Sequence, residues 1–254
     1  MTPKLIAIGS SPVITNEISH LWDTLVDGVF PIQQVLTSDI PYPDADIYIC
    51  APSQYELVKN IPNKKLYTIE LVPTSSFFLQ IGAIPKGSDI YLFNNQRTYI
   101  DSLIAYCQKL GLTDYQYIPI AFDEDSRNSV IDKLTNAQYI IGVDKFIESE
   151  LEEGSFSSYV KKDCISLLKA KRTLAFKDIC KVLNAIANYY IQQDISANEI
   201  QLITSKIRDI TIQALANQAD LRGTLNSTSI EQSNKPKDTL KKLQQLLQEI
   251  SLEQ

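Results

Sequence analysis

The chain has 254 residues, 44% of them hydrophobic and 21% charged, with a formal net charge of −6. Enough apolar residues are present for one or two cored domains, while the acidic balance argues against direct nucleic-acid binding. A single histidine, His20, leaves little room for His-based metal, triad or acid–base chemistry.

Residues 5–8 read as a first strand, ending in Gly9-Ser10-Ser11-Pro12. Ser11 suits an N-cap and Pro12 a first helical position, with Ile14, Ile18, Leu21 and Leu25 inward. His20 is expected to be a partly buried structural residue of that helix. Further strands are expected at 32–36, 47–50 and 66–72, and a turn over 85–89 feeds another at 90–93. The next helix carries Ile100, Leu103, Ile104, Cys107 and Leu110 on one face and stops at Gly111. Strands at 115–122 and 139–143 flank a short helix ending near Leu134. Short strands alternating with amphipathic stretches predict an α/β fold, as two small doubly wound, flavodoxin-like parallel-sheet lobes at 1–83 and 84–160.

From Lys161 the pattern changes to a 3-4 apolar spacing through Ile165, Leu168, Ala175, Ile179, Val182, Ile186 and Tyr189. Ser196 and Glu199 have capping-box spacing and open a second helix with Ile200, Ile203, Ile207, Ile210, Ala214 and Leu221 inward. A helical hairpin is therefore expected over 161–222, either packed on the α/β body or forming a homodimer seam. Residues 223–236 read as a linker, and 237–254 as an amphipathic helix with Leu240, Leu243, Leu247 and Ile250 on one stripe. Charge divides near the same place, with 10 Lys+Arg against 20 Asp+Glu in residues 1–160 and 14 against 10 in residues 161–254.

The four cysteines (Cys50, Cys107, Cys164, Cys180) lie in apolar runs without C-x-x-C pairing and read as reduced, buried thiols. No run approaches the ~18 apolar residues of a membrane span, and residues 1–11 lack the basic start of a secretory signal, so the expectation is cytoplasmic. The first turn has Gly9 but no Gly-x-Gly-x-x-Gly, and no Gly-Lys-Ser/Thr loop occurs, which argues against dinucleotide or P-loop chemistry. Phosphoreceiver acids are missing where the first strand ends in Gly9-Ser10-Ser11 and the third in Cys50-Ala51-Pro52. Asp123-Glu124-Asp125 reads as a solvated acidic loop rather than a metal site. No cofactor or metal is expected, and no enzymatic activity.

Ligands of open α/β sheets sit beyond the carboxyl ends of the strands. The residues expected there are Ser10, Ser11, Ser53, Thr74, Ser75, Ser76, Asn94, Asn95 and Arg97, suited to a small polar or anionic molecule. The bland alternative is that they are ordinary helix caps.

The run Ile84-Pro85-Lys86-Gly87-Ser88-Asp89 through Asn94-Asn95 resembles a segment in the N-terminal sensory region of sigma-54-dependent (enhancer-binding) transcriptional regulators of Firmicutes. Lys109-Leu110-Gly111-Leu112, the proline-bearing Tyr117-Ile118-Pro119 and the stretch 137–142 are similar as well. The loop at Ala121-Phe122-Asp123-Glu124-Asp125 departs from the Pro/Gly-rich loop of such regulators, and neither a Walker motif nor a DNA-reading helix is evident. The resemblance implies a cytoplasmic sensory module that binds a small-molecule effector, at strand ends or between lobes. Its state would pass through the C-terminal helices to an output supplied by a protein partner. The alternative is a scaffold or adaptor acting through helical contacts without a ligand.

Overall fold

The computed structural model describes residues 2–10, 12–61, 65–161, 164, 166–216 and 235–252. Its chain divides into two compact units, 1–72 with 173–254, and 73–172.

In the first unit β1 (Leu5–Gly9), α1 (Pro12–Val26), β2 (Ile32–Leu36), β3 (Ile47–Cys50), α2 (Tyr55–Val58) and β4 (Leu66–Thr68) follow in order. The sheet is entirely parallel with strand order β2-β1-β3-β4. β1 is buried along its whole length because both faces are covered. Leu5 and Ala7 join a core with Trp22, Ile47 and Ile49, whereas Ile6 and Ile8 join Tyr48, Cys50, Val58 and Leu66 on the other face. The Trp22 indole N–H donates to the Phe30 carbonyl at 2.8 Å, so its buried polar atom is satisfied.

β5 (Leu71–Pro73) leaves this unit and opens the second, which continues through α3 (Ser75–Gly82), β6 (Asp89–Asn94), α4 (Arg97–Lys109), β7 (Gln116–Ala121), α5 (Arg127–Asn136) and β8 (Tyr139–Val143). The one-turn α6 (Asp144–Phe146) runs into a π-helical turn at Ile147–Glu152, and β9 (Ser166–Ala170) completes a second parallel sheet. Its order is β7-β6-β8-β9, the same topology as the first. Tyr91, Phe93, Ile120 and Ile140 form one face of its core with Val130, Leu134, Ile147 and Phe156. Gly142 is required in β8, because a Cβ there would stand 2.6 Å from the Phe93 carbonyl oxygen and 2.8 Å from Ile147 Cδ1. As the sequence predicts, α4 ends at a left-handed Gly111 (φ 81), with Leu112 N–H bonded to Cys107 O and Gly111 N–H to Gln108 O.

The chain returns through β10 (Arg172–Leu174), which pairs with β5 as a two-stranded ribbon. It then forms α7 (Phe176–Gln192), α8 (Ala197–Ala216) and α9 (Pro236–Leu252). α7 is buried on most of its circumference, through Phe176, Ile179, Cys180, Val182, Leu183, Ile186, Ala187 and Tyr190. It packs on both α8 and α9. Ile200, Ile207, Ile210 and Ala214 of α8, with the expected α9 stripe Leu240, Leu243, Leu247 and Ile250, enter the same core as Leu5 and Trp22. The described seam residues of α7 and α8 thus pack in this core of their own chain. The capping box forms as its spacing predicts: Glu199 N–H donates to Ser196 Oγ at 3.3 Å, and Ser196 N–H donates to Glu199 Oε2 at 3.0 Å.

Several expectations are corrected. The hairpin does not begin at 161: Ser166–Ala170 and Arg172–Leu174 are strands, and Leu167 and Leu168 lie opposite Ile140 and Ile141 of β8. A short apolar run has no period of its own, and sheet pairing decides its conformation. The unit boundary falls at Val72/Pro73 rather than 83/84, so α3 belongs to the second unit and the C-terminal helices to the first. The single strand expected over 66–72 is two, because Ile69 N–H closes on Cys50 O and the chain then turns to pair with β10. His20 is exposed, and Cys164 is only half-buried. Burial pushes the Cys50 and Cys107 thiols up to about 11 and that of Cys180 to about 12, so these three stay protonated and inert at neutral pH. Ser11, Leu221 and most of the expected linker at 223–236 lie outside the described residues.

The structural division also reassigns the charge. The basic excess of the C-terminal segment comes from residues 161–172, with five Lys+Arg against one Asp, whereas residues 173–254 carry nine of each sign. Residues 173–254 are thus neutral in sum, and the excess of cations belongs to the β9 region of the second unit.

Candidate functional site

The carboxyl edge of the second sheet is set by register. Ala121 pairs with Asn94, Phe93 pairs with Gly142, and Val143 pairs with Ala170. Asn94, Val143 and Ala170 therefore end three neighbouring strands at one level. The chain turns one way from β6 to β7 and the other way to β8, so the crevice at which the winding reverses lies between Asn94-Asn95 and Asp144-Lys145.

Asn94 is only 3% exposed, and its Oδ1 accepts a long 3.4 Å bond from Gln96 N–H. Its carbonyl accepts from Phe122 N–H, and that of Asn95 from Asp123 N–H, which lays the loop after β7 along this edge. Phe122 stacks on Phe93 with ring centroids 4.9 Å apart and meets Phe146 edge-on at 5.4 Å. Lys145 Nζ lies 5.0 Å from the Phe146 ring centroid, a cation–π distance. Polar strand ends thus sit beside an aromatic cluster.

Thr74–Ser76 reach the same edge. Thr74 N–H donates to Lys171 O at 3.0 Å, fixing the start of α3 beside the end of β9. Thr74 occupies the N-cap position, yet its side chain makes no capping bond; its Oγ1 lies 3.0 Å from Ser76 Oγ. In contrast, Ser126 caps α5 through Ser129 N–H. The bland reading of Thr74 as an ordinary cap therefore fails on geometry. What is assembled is a helix N-terminus with paired hydroxyls and the exposed Lys171 next in line, a chemistry suited to an anion.

Arg97 follows directly on Asn94–Gln96 at this edge, but its groups are already paired. Its Nε donates to Asp101 Oδ1 at 2.9 Å along α4, and its backbone N–H is taken by Glu124 Oε1 at 3.2 Å. The start of α4 thus already holds a carboxylate, which disfavours a second anion there. Asp125 is likewise committed: its Oδ2 accepts from Ala121 N–H at 3.3 Å and from Lys133 Nζ at 2.8 Å. Among the described residues no group of acids, histidines or cysteines is placed to hold a metal ion.

Ser10 and Ser53 lie on the carboxyl edge of the first sheet, at the ends of β1 and β3, and both are exposed. There the buried Gln54 fills the place where the winding reverses, with Oε1 accepting from Ser10 N–H at 2.8 Å. The sequence reading placed Thr74–Ser76 at a strand end of the first lobe and Asn94 and Asn95 at one of the second; the structure brings them to one edge of a single unit, together with Lys145 and Lys171, which that reading missed. Lys145 follows a correctly placed strand and was findable by the strand-end rule. Lys171 was hidden because its strand resembled a helix.

Comparison of this chain with family models, curated proteins and solved structures returns no match.

Proposed function

We propose that this chain is a non-enzymatic sensory or regulatory module that binds a small anionic metabolite at the carboxyl edge of its second sheet. The observation that carries the reading is the uncapping arrangement of Thr74 and Ser76 beside Lys171. Hydroxyls that make no capping bond, at a helix N-terminus and beside an exposed lysine, complement a carboxylate or phosphate. Asn94 and Asn95 would contribute directional hydrogen bonds at the neighbouring strand end. The relay is supported by connectivity: β9 runs through Lys171 into β10, which leads directly into α7, the buried centre of the helical layer. A ligand that binds one arrangement of this edge better than another biases whatever β10 and α7 do next.

The resemblance of residues 84–112 and beyond to sensory regions of sigma-54-dependent regulators points the same way, with a cytoplasmic setting and an output supplied by a partner protein. Thermal-shift screening against organic acids, amino acids and nucleotides tests the binding step. A cognate ligand at about a hundredfold excess over its Kd stabilises by ~2.7 kcal/mol. That gain is expected to be lost in Thr74→Val and Lys171→Gln, and retained in Arg97→Ala. Absence of any stabilising compound would favour the adaptor reading instead.

A further inference from the structure

We infer a second small-molecule site, in the first unit and at the amino end of its sheet, that takes a monocarboxylate with an apolar body. A cavity of about 330 Å³ opens beside residues that precede β1 and β2, with Phe30, Tyr190, Ile195, Leu202, Ile203 and Lys206 in its lining. Phe30 and Tyr190 make its firm floor: both are almost fully buried, and their rings are 6.4 Å apart at a tilt of 48°. The wall comes from α8, which buries Ile200, Ile207 and Ile210 in the core and turns its next stripe, Leu202, Ile203 and Lys206, toward the cavity. Leu202 remains 57% exposed, so this wall keeps apolar surface that a ligand can cover.

The polar groups choose the ligand's charge. Glu199, also in the lining, is already committed, since its Oε2 accepts from both the Ser196 N–H at 3.0 Å and the Ser196 hydroxyl at 2.7 Å. Lys206 is half-buried and has no ion-pair partner among the described residues. A cationic ligand would face Lys206, and a neutral one would leave the ammonium without a mate. A carboxylate gains a charge-assisted hydrogen bond there while its hydrocarbon covers Leu202 and Ile203. Counted against the volume of a water molecule, the cavity suits roughly ten non-hydrogen atoms, the size of octanoate.

The test is calorimetric titration of the full chain with octanoate, 1-octanol and octylamine. Octanoate is expected to bind about tenfold more tightly than 1-octanol. Lys206→Gln abolishes that preference, Lys206→Arg keeps it, and Leu202→Ser weakens both compounds alike. The proposal is overturned if octanoate and 1-octanol bind equally, if octanoate is indifferent to Lys206→Gln, or if none of the three binds. Thr74→Val, which reads the sheet-edge site of the second unit, leaves octanoate binding unchanged.

Discussion

Two parallel sheets of one strand order are built in this chain, and their carboxyl edges have been put to different use. In the first, Gln54 crosses from the end of β3 to the Ser10 N–H, so the place where the winding reverses is bridged by the protein itself. In the second, the corresponding place has Asn94 with a single long side-chain bond, an adjacent lysine at 145, and the hydroxyls of Thr74 and Ser76 near the last strand. Topology offers a crevice in both cases. Whether the crevice is a structural joint or a candidate site depends on whether a side chain of the chain already satisfies it.

The broadest test of that comparison is whether the two sheets have separate cores. Trp22→Ala and Phe93→Ala each remove a fully buried aromatic ring, one from each unit, at a cost of about 3–5 kcal/mol. Hydrogen exchange should accelerate in β1, β3 and α7 for the first, and in β6, β8 and α5 for the second. Equal acceleration in both units from either change would merge the two cores into one. A smaller effect is expected at Gly142, where alanine must push Ile147 or the Phe93 carbonyl aside. Overpacking of that kind costs about 1–3 kcal/mol, read as a lower urea midpoint together with faster exchange in β8.

The Gln54 bridge can be removed directly. Gln54→Leu keeps a side chain of similar bulk but makes it apolar, and so takes the acceptor from Ser10 N–H. Because Ser10 itself is exposed, water can replace the bond, and a loss of about 1 kcal/mol is expected in chemical denaturation. A loss above ~3 kcal/mol would show that Gln54 holds more than this one group.

Much of this architecture was legible in the sequence, and the failures have a common cause. Residues 47–50 and 139–143 were bounded correctly because each is a short apolar run between turn residues, and the fully buried strands of parallel sheets look like that. Local chemistry also declared itself at Ser196 and Gly111, where the determinant lies within a few residues. What was not legible depends on distant partners. Leu167 and Leu168 become strand only because β8 is there to receive them. The first unit is closed by residues 173 onward, which no local pattern announces. Arg97 was placed at the right strand end, but Asp101 one helical turn on already pairs its guanidinium. Charge followed the same rule: the acidic-to-basic step at 160 was real, yet it marked the β9 segment rather than a basic helical layer.

The ribbon that joins the two units carries this charge contrast to its smallest measurable consequence. At its second-unit end stand Lys171 and Arg172; at the first-unit end Glu70 N–H donates to Asp178 Oδ2 at 3.0 Å, and Glu70 O accepts from Ala175 N–H at 2.8 Å. Desolvation, and then the nearby Asp178 carboxylate, push the Glu70 carboxyl above its ordinary value. The Oδ1 of Asp178 pairs with Lys181 Nζ at 2.7 Å. A carboxyl whose folded pKa is raised binds its proton more tightly in the native state than in the unfolded chain. The native state therefore carries a penalty at neutral pH that fades as pH falls through the carboxylate range. Glu70→Gln removes the charge and keeps the shape, so it should stabilise the protein above about pH 5. Because the side chain still reaches solvent, screening limits the gain to a few tenths of a kcal/mol, a rise in Tm of roughly 1 °C. Melting curves of both proteins between about pH 4 and pH 8 decide the matter: a gain that persists undiminished at the acid end would mean that packing, not the charge of Glu70, sets the strain at the ribbon.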